Sequence, residues 1–158
     1  MNDLDAKFIL DLQREDDVGL VLLGHLHIEH QLIELISCVL PFPDRCDWNR
    51  ISYSAKVSIA HSCGLPEQLR PVLNRFGKIR NDFAHQLDAS LSKNSVLGLY
   101  NSLPSLHQEV TKDTYKAMGL GNLSAPSSLP ARELVVLLLL IVRQAITAAV
   151  RTLRGAAR

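Results

Sequence analysis

Hydrophobic residues recur along nearly the whole chain at spacings of three and four, the period of amphipathic helices. Near the start, Leu4, Phe8 and Leu12 stand at i, i+4 and i+8 within DLDAKFILDL and predict a short first helix. A second helix is expected from Asp16 or Asp17, residue types that cap helix N-termini, to about Leu40. Its apolar positions are Val18, Val21, Leu22, Leu26, Leu32, Ile33, Ile36 and Val39. PFPDRCDW stops it, because Pro41 and Pro43 cannot donate to a helical ladder. A third helix is predicted over Ile51 to Cys63, with Gly64 in the position that favours a left-handed cap. Pro66 opens another turn, and Pro71 restarts or kinks the next helix, whose stripe is Val72, Phe76, Ile79 and Phe83 and whose end lies near His85. The loop QLDASLSKN leads to a fifth helix, Ser95 to Leu103, broken by Pro104. A sixth spans about Leu106 to Met118, residues 119–129 form an internal loop, and a last helix runs from about Pro130 to Leu153. No alternating strand pattern and no repeat appears. The expectation is an all-α, single-domain bundle of about six to seven helices over residues 1–158.

One segment is apolar at every position: LVVLLLLIV, Leu134 to Val142. A membrane span needs roughly 20 such residues, and Arg143 and Gln144 interrupt any extension. The run is expected to be a helix buried on nearly all sides, at the centre of the bundle or at the seam of a homodimer, and no membrane contact is expected.

Composition narrows the picture further. The chain has 158 residues, 47% of them hydrophobic, enough for one domain with a sizeable core. A formal net charge of +1 supplies no global field for nucleic acid or an anionic membrane. Cys38, Cys46 and Cys63 form no C-x-x-C pair and no zinc-ligand spacing, and no secretory leader is visible, so reduced thiols and a cytoplasmic location are expected. No phosphate-binding glycine loop, nucleophile elbow or dinucleotide fingerprint occurs, and no cofactor is expected.

The candidate chemistry gathers in KIRNDFAHQL, where Lys78, Arg80, Asn81, Asp82 and His85 surround Phe83 as a candidate binding set. On an ideal helix Asn81 and His85 share a face, whereas Arg80 and His85, five apart, diverge by about 140°. Two readings stand side by side. In the first, a structural network, Arg80 pairs with Glu29 or Glu34 and His85 bonds the last carbonyls of its helix. In the second, RNA cleavage, His85 acts as acid or base on a ribose 2′-OH, Arg80 stabilises phosphate charge, and Asn81 supports them. The second requires the helix to loosen near its end, or a partner chain to complete the site.

Three further features carry weaker signals. His25, His27 and His30 cluster with Glu29 and Glu34, which permits two-point metal contact; with no third ligand, a polar strip is expected and no metal. Arg143, Arg151, Arg154 and Arg158 lie within about 80° on an ideal helix and form a candidate basic or partner-binding face, read most simply as solvated. VSIAHSCGLPEQLRPVL imitates a helix-turn-helix, but Arg70 and Pro71 break its second helix, so direct sequence-specific DNA binding is not expected.

RNDFAH matches the R-N-x-x-x-H motif of HEPN proteins, small all-α domains that often dimerise and often cut RNA, at Arg80, Asn81 and His85. A longer likeness covers roughly residues 14 to 105. REDDVGLVLLGHLHIEHQLIELI, ISYSAKVSIAHSCGL and LNRFGKIRNDFAHQLDASLS resemble the mannitol operon repressor family (MltR) of bacterial regulators. Ser54, Ala55, Lys56, Ala60, Gly64 and Leu65 fit one block of that family, and Lys78 to His85 the other. The resemblance implies an all-α, HEPN-like fold and a transcriptional repressor of sugar-alcohol uptake genes. With no sound DNA reader in the chain, such a regulator is expected to work through protein–protein contacts, as a homodimer. A metal-independent endoribonuclease, toxin-like and using Arg80 and His85, is the alternative, with RNA as its substrate.

Overall fold

Seven helices account for the described chain: α1 (Asp3–Arg14), α2 (Asp17–Ser37), α3 (Tyr53–Ser62), α4 (Arg70–His85), α5 (Lys93–Asn101), α6 (Ser105–Ala117) and α7 (Ala131–Ala156). The structure is a computed structural model that describes residues 3–86 and 89–156, with side chains from Asp5 onward. The side chain of Leu4, and Leu87 and Asp88 of the expected loop, lie outside it. Short 3-10 turns at Pro43–Arg45, Trp48–Arg50, Glu67–Leu69 and Pro126–Ser128 join the helices, and no strand occurs among the described residues. The last of these turns falls inside the expected 119–129 loop.

The helix ends follow local chemistry. Asp16 caps α2 by accepting from the Gly19 amide at 2.7 Å. The helix stops at Ser37 rather than Leu40, because Pro41 disfavours helical dihedrals at the residue before it. α5 begins two residues earlier than expected, since Ser92 accepts from the Ser95 amide at 3.1 Å. α3 ends in a Schellman turn: Leu65 donates to the Ala60 carbonyl at 3.0 Å and Gly64, at φ +111°, to His61 at 3.2 Å.

α7 is the centre of the bundle. Every residue from Leu134 to Val142 is buried, enclosed by α1, α2, α5 and α6. By length and composition this helix would cross a membrane; here its apolar surface is taken up by the other helices. The run is therefore core, and it supplies no dimer seam. α2 approaches α7 closely at Gly24, where a Cβ would meet the side chain of Leu139 at 2.5 Å. Arg143, just past the apolar run, pairs with the buried Asp5 of α1 and lies over the Phe8 ring, 5.1 Å from its centroid.

α2 packs on α7 on one side and on α3 and α4 on another. That second junction adds Val57, Ala60, Val72, Leu73 and Phe76 to the core and leaves beside them a gap lined mostly by polar residues.

Candidate functional site

The gap between α2, α3 and α4 is a cleft of about 790 Å³. α2 contributes His25 and Glu29, one helical turn apart. α3 enters it with its N-terminal turn, Ser52 to Ser54, and with Lys56. α4 adds Lys78, Arg80 and Asn81 at its rim.

Its floor is an enclosed ion pair. The Lys56 ammonium, 4% exposed as a residue, donates to Glu29 Oε1 at 2.6 Å. Glu29 Oε2 lies 3.8 Å from His25 Nδ1. His25 is 3% exposed, and its Nε2 has no hydrogen-bond partner among the described residues. Burial first, then the Arg80 charge and that of Lys56, push the His25 pKa down from 6.5 to about 4, against the opposing pull of Glu29. The imidazole is neutral at pH 7.

Tyr53 holds the wall. Its ring lies 4.3 Å from that of His25, centroid to centroid, and its hydroxyl donates to the Leu73 carbonyl of α4 at 3.0 Å. The close fit is possible because position 77 is glycine: a Cβ there would sit 2.8 Å from the Tyr53 ring. Burial and the Glu29 charge push the phenol well above its usual range, so it stays protonated and donating.

The structure separates the residues that the RNDFAH motif places together. Arg80 reaches neither Glu29 nor Glu34. Glu29 is taken by Lys56, and Glu34 pairs with Arg154 of α7 at 2.8 Å. Arg80 instead donates to the neighbouring Asn81 side chain at 3.0 Å and forms no ion pair among the described residues. The expected structural salt bridge is thus corrected, because the acids it needed face nearer cations. α4 stays helical through His85, so the loosening that would swing His85 toward Arg80 does not occur; His85 is exposed and outside the cleft. Asp82 faces a separate shallow groove with Asn74, Arg75, Lys78 and Ser95.

The other candidates disperse. His27 packs edge-on against Phe8 at 4.9 Å, His30 is exposed, and the cluster read as a polar strip divides between the cleft and the α1 contact. The basic face of α7 is mostly spent: Arg143 on Asp5, Arg154 on Glu34, with Arg151 exposed and Arg158 outside the described residues. Lys56 and Tyr53 are among the cleft residues given no site role from the sequence, as are Asn49, Ser52, Ser54 and Asn74. The signal for Lys56 is a lysine followed by Val57 and Ala60 on the buried side of α3, a place that requires an acid on the facing helix.

No family model, curated protein or solved structure matches the chain.

Proposed function

We propose that the chain is a bacterial regulator of the mannitol-operon-repressor type that acts by gripping protein rather than by reading DNA, its first partner being a second copy of itself. The observation that supports this reading is a stripe of apolar side chains left in solvent on α2. Val18, Leu22 and Leu26 follow one another at i, i+4 and i+8, and Leu26 is 59% exposed. The opposite faces of the helix are already committed to α7, α3 and α4. Covering such side chains is worth roughly 25 cal/mol per Å² of apolar surface, and a two-fold axis would set the stripe of one copy against that of the other. Sedimentation tests it: a dimer at tens of micromolar for the native protein, and a monomer of unchanged helix content for Leu26→Glu. A native protein that sediments as a monomer removes the reading's support.

A second reading, a HEPN-type metal-independent endoribonuclease, is favoured by one observation: Arg80 has no acid partner among the described residues and sits at a cationic rim. His85 lies outside that cleft, so this reading needs a partner chain to bring a second RNDFAH stretch across it. Chelator-resistant RNA cleavage by the native protein, lost in His85→Ala with an unchanged melt, would establish it in place of the first.

A further inference from the structure

A second cavity, separate from the cleft, lies between α1, α7 and the end of α6, with a volume of about 430 Å³. Its floor is Ile9 of α1 with Val136, Leu137 and Leu140 of α7. Within the Leu134–Val142 run, Val136 at 8% and Leu137 at 5% are the most exposed, so the cover over the central helix is thinnest here. The cause lies in α6. Its one buried residue is the small Thr111, and it leaves space against α7 at its own C-terminal end, walled by Tyr115 and Met118.

Leu120 forms the edge of the cavity. Gly119 and Gly121 flank it at φ +75° and +90°, and a Cβ at either would meet nothing within 4 Å. Leu120 lines the cavity and is still 54% exposed. A large apolar side chain thus stands on a two-glycine turn beside an apolar space that it only half covers.

Charge at the rim selects the guest. Arg132 and Glu133 both line the cavity. Arg132 is spent: its Nη1 donates to Asp17 Oδ1 at 2.8 Å, and its Nη2 donates to the Glu15 carbonyl just past α1. The Glu133 carboxylate has no hydrogen-bond or ion-pair partner among the described residues. A neutralised cation and a free carboxylate beside an apolar space favour an apolar body with a positive head, and they disfavour an anion.

We infer that this cavity binds a small apolar amine, its hydrocarbon body against Val136, Leu137 and Met118 beneath Leu120, and its ammonium on Glu133. The volume is that of a small-molecule site, and the unbranched Met118 adapts to the shape of a guest. The cavity shares no residue with the α2 stripe, so this inference goes beyond the dimer reading and stands or fails apart from it.

Three probes with one phenylbutyl body and different heads test it: phenylbutylamine, phenylbutanol and phenylbutyrate. Carbon–proton NMR of the full chain follows the methyl groups of Met118, Leu120 and Val136. These should shift with the probes. The amine should bind about threefold more tightly than the alcohol and the carboxylate about threefold more weakly, the worth of a partly exposed ion pair. Glu133→Gln should bring the three affinities together and leave that of the alcohol unchanged. Val136→Phe fills the cavity and should abolish the shifts of Met118 and Leu120. Should that variant fail to fold, Leu106 of α6, 71% exposed, gives the control in the native protein: its methyls should stay still while Met118 moves. Equal movement at Leu106 and Met118 would show probes coating any exposed apolar surface and overturn the site, as would the absence of shifts at millimolar probe levels. An amine that binds no more tightly than the alcohol would overturn the choice of ligand. A Met118 methyl that shifts with protein concentration alone would put a second copy of the chain in the cavity and overturn the small-molecule assignment.

Discussion

Lys56 donates to Glu29 at 2.6 Å, so the acid that would have neutralised Arg80 is already held by a different cation on a different helix. The pair lies at the floor of the cleft, and its energetics should be asymmetric. Glu29→Ala leaves an enclosed ammonium without a counter-charge and should cost about 3–5 kcal/mol in urea denaturation. The joint replacement Glu29→Leu, Lys56→Met should recover most of that loss, because an apolar pair escapes the desolvation cost. A joint variant as unstable as Glu29→Ala would mean that the pair does more than neutralise itself.

Arg80 gives the opposite expectation. Its side chain is bonded to Asn81, which is exposed, and Arg80→Ala should lower stability by no more than about 1 kcal/mol. A thermal melt measures this directly. A loss of several kcal/mol would restore the structural salt bridge that the cleft geometry removes.

Acid should weaken the fold through His25. Its pKa in the folded chain, about 4, lies below the 6.5 of an unconstrained imidazole, so the unfolded chain binds the proton more readily. The stability linked to this group is whole above about pH 6.5 and is lost as pH falls toward 4. Burial, Arg80 from α4 and Lys56 from α3 oppose protonation, while Glu29 on the same helix favours it. The full shift would be worth about 3 kcal/mol; solvent at the cleft rim screens part of it, leaving about 2 kcal/mol. Denaturation curves at pH 6.5 and 4.5 should show this loss in the native protein and a smaller one in His25→Phe.

Gly77 and Tyr53 should behave as a coupled pair. Gly77→Ala drives a methyl into the Tyr53 ring and should destabilise by about 1–3 kcal/mol, partly offset by the roughly 1 kcal/mol better helix propensity of alanine. In a Tyr53→Leu background the obstacle is gone, and Gly77→Ala should become neutral or stabilising. Equal effects of Gly77→Ala in both backgrounds would show that the ring is free to move aside.

Helix number and order are legible in the sequence because every helix but α6, whose one buried residue is Thr111, carries buried apolar residues at helical spacing, and distinct terminators separate them: Asp16 before α2, Gly64 after α3, Pro104 before α6. The placement of Leu134–Val142 at the bundle centre follows from the same logic, since a run with no polar face has nowhere else to go. The cleft is legible only in its parts. His25, Glu29, Arg80 and Asn81 stand out by type, but which cation meets Glu29 depends on how α2 crosses α3 and α4, and no spacing along one helix encodes a crossing. Tyr53 is invisible for a related reason: its role rests on the missing side chain of Gly77, twenty-four positions away.

The enclosure of α7 bears on how the chain comes to be folded at all. Synthesis proceeds from the N-terminus at about 5–20 residues per second, so α1 to α6 leave the ribosome before the helix that fills their common centre. Until Leu134–Val142 arrives, the inward faces of Phe8, Leu20, Ile28 and Leu99 have no hydrophobic partner there. The nascent chain must therefore wait, open and adhesive, for its final helix. During that interval the exposed interior is open to aggregation.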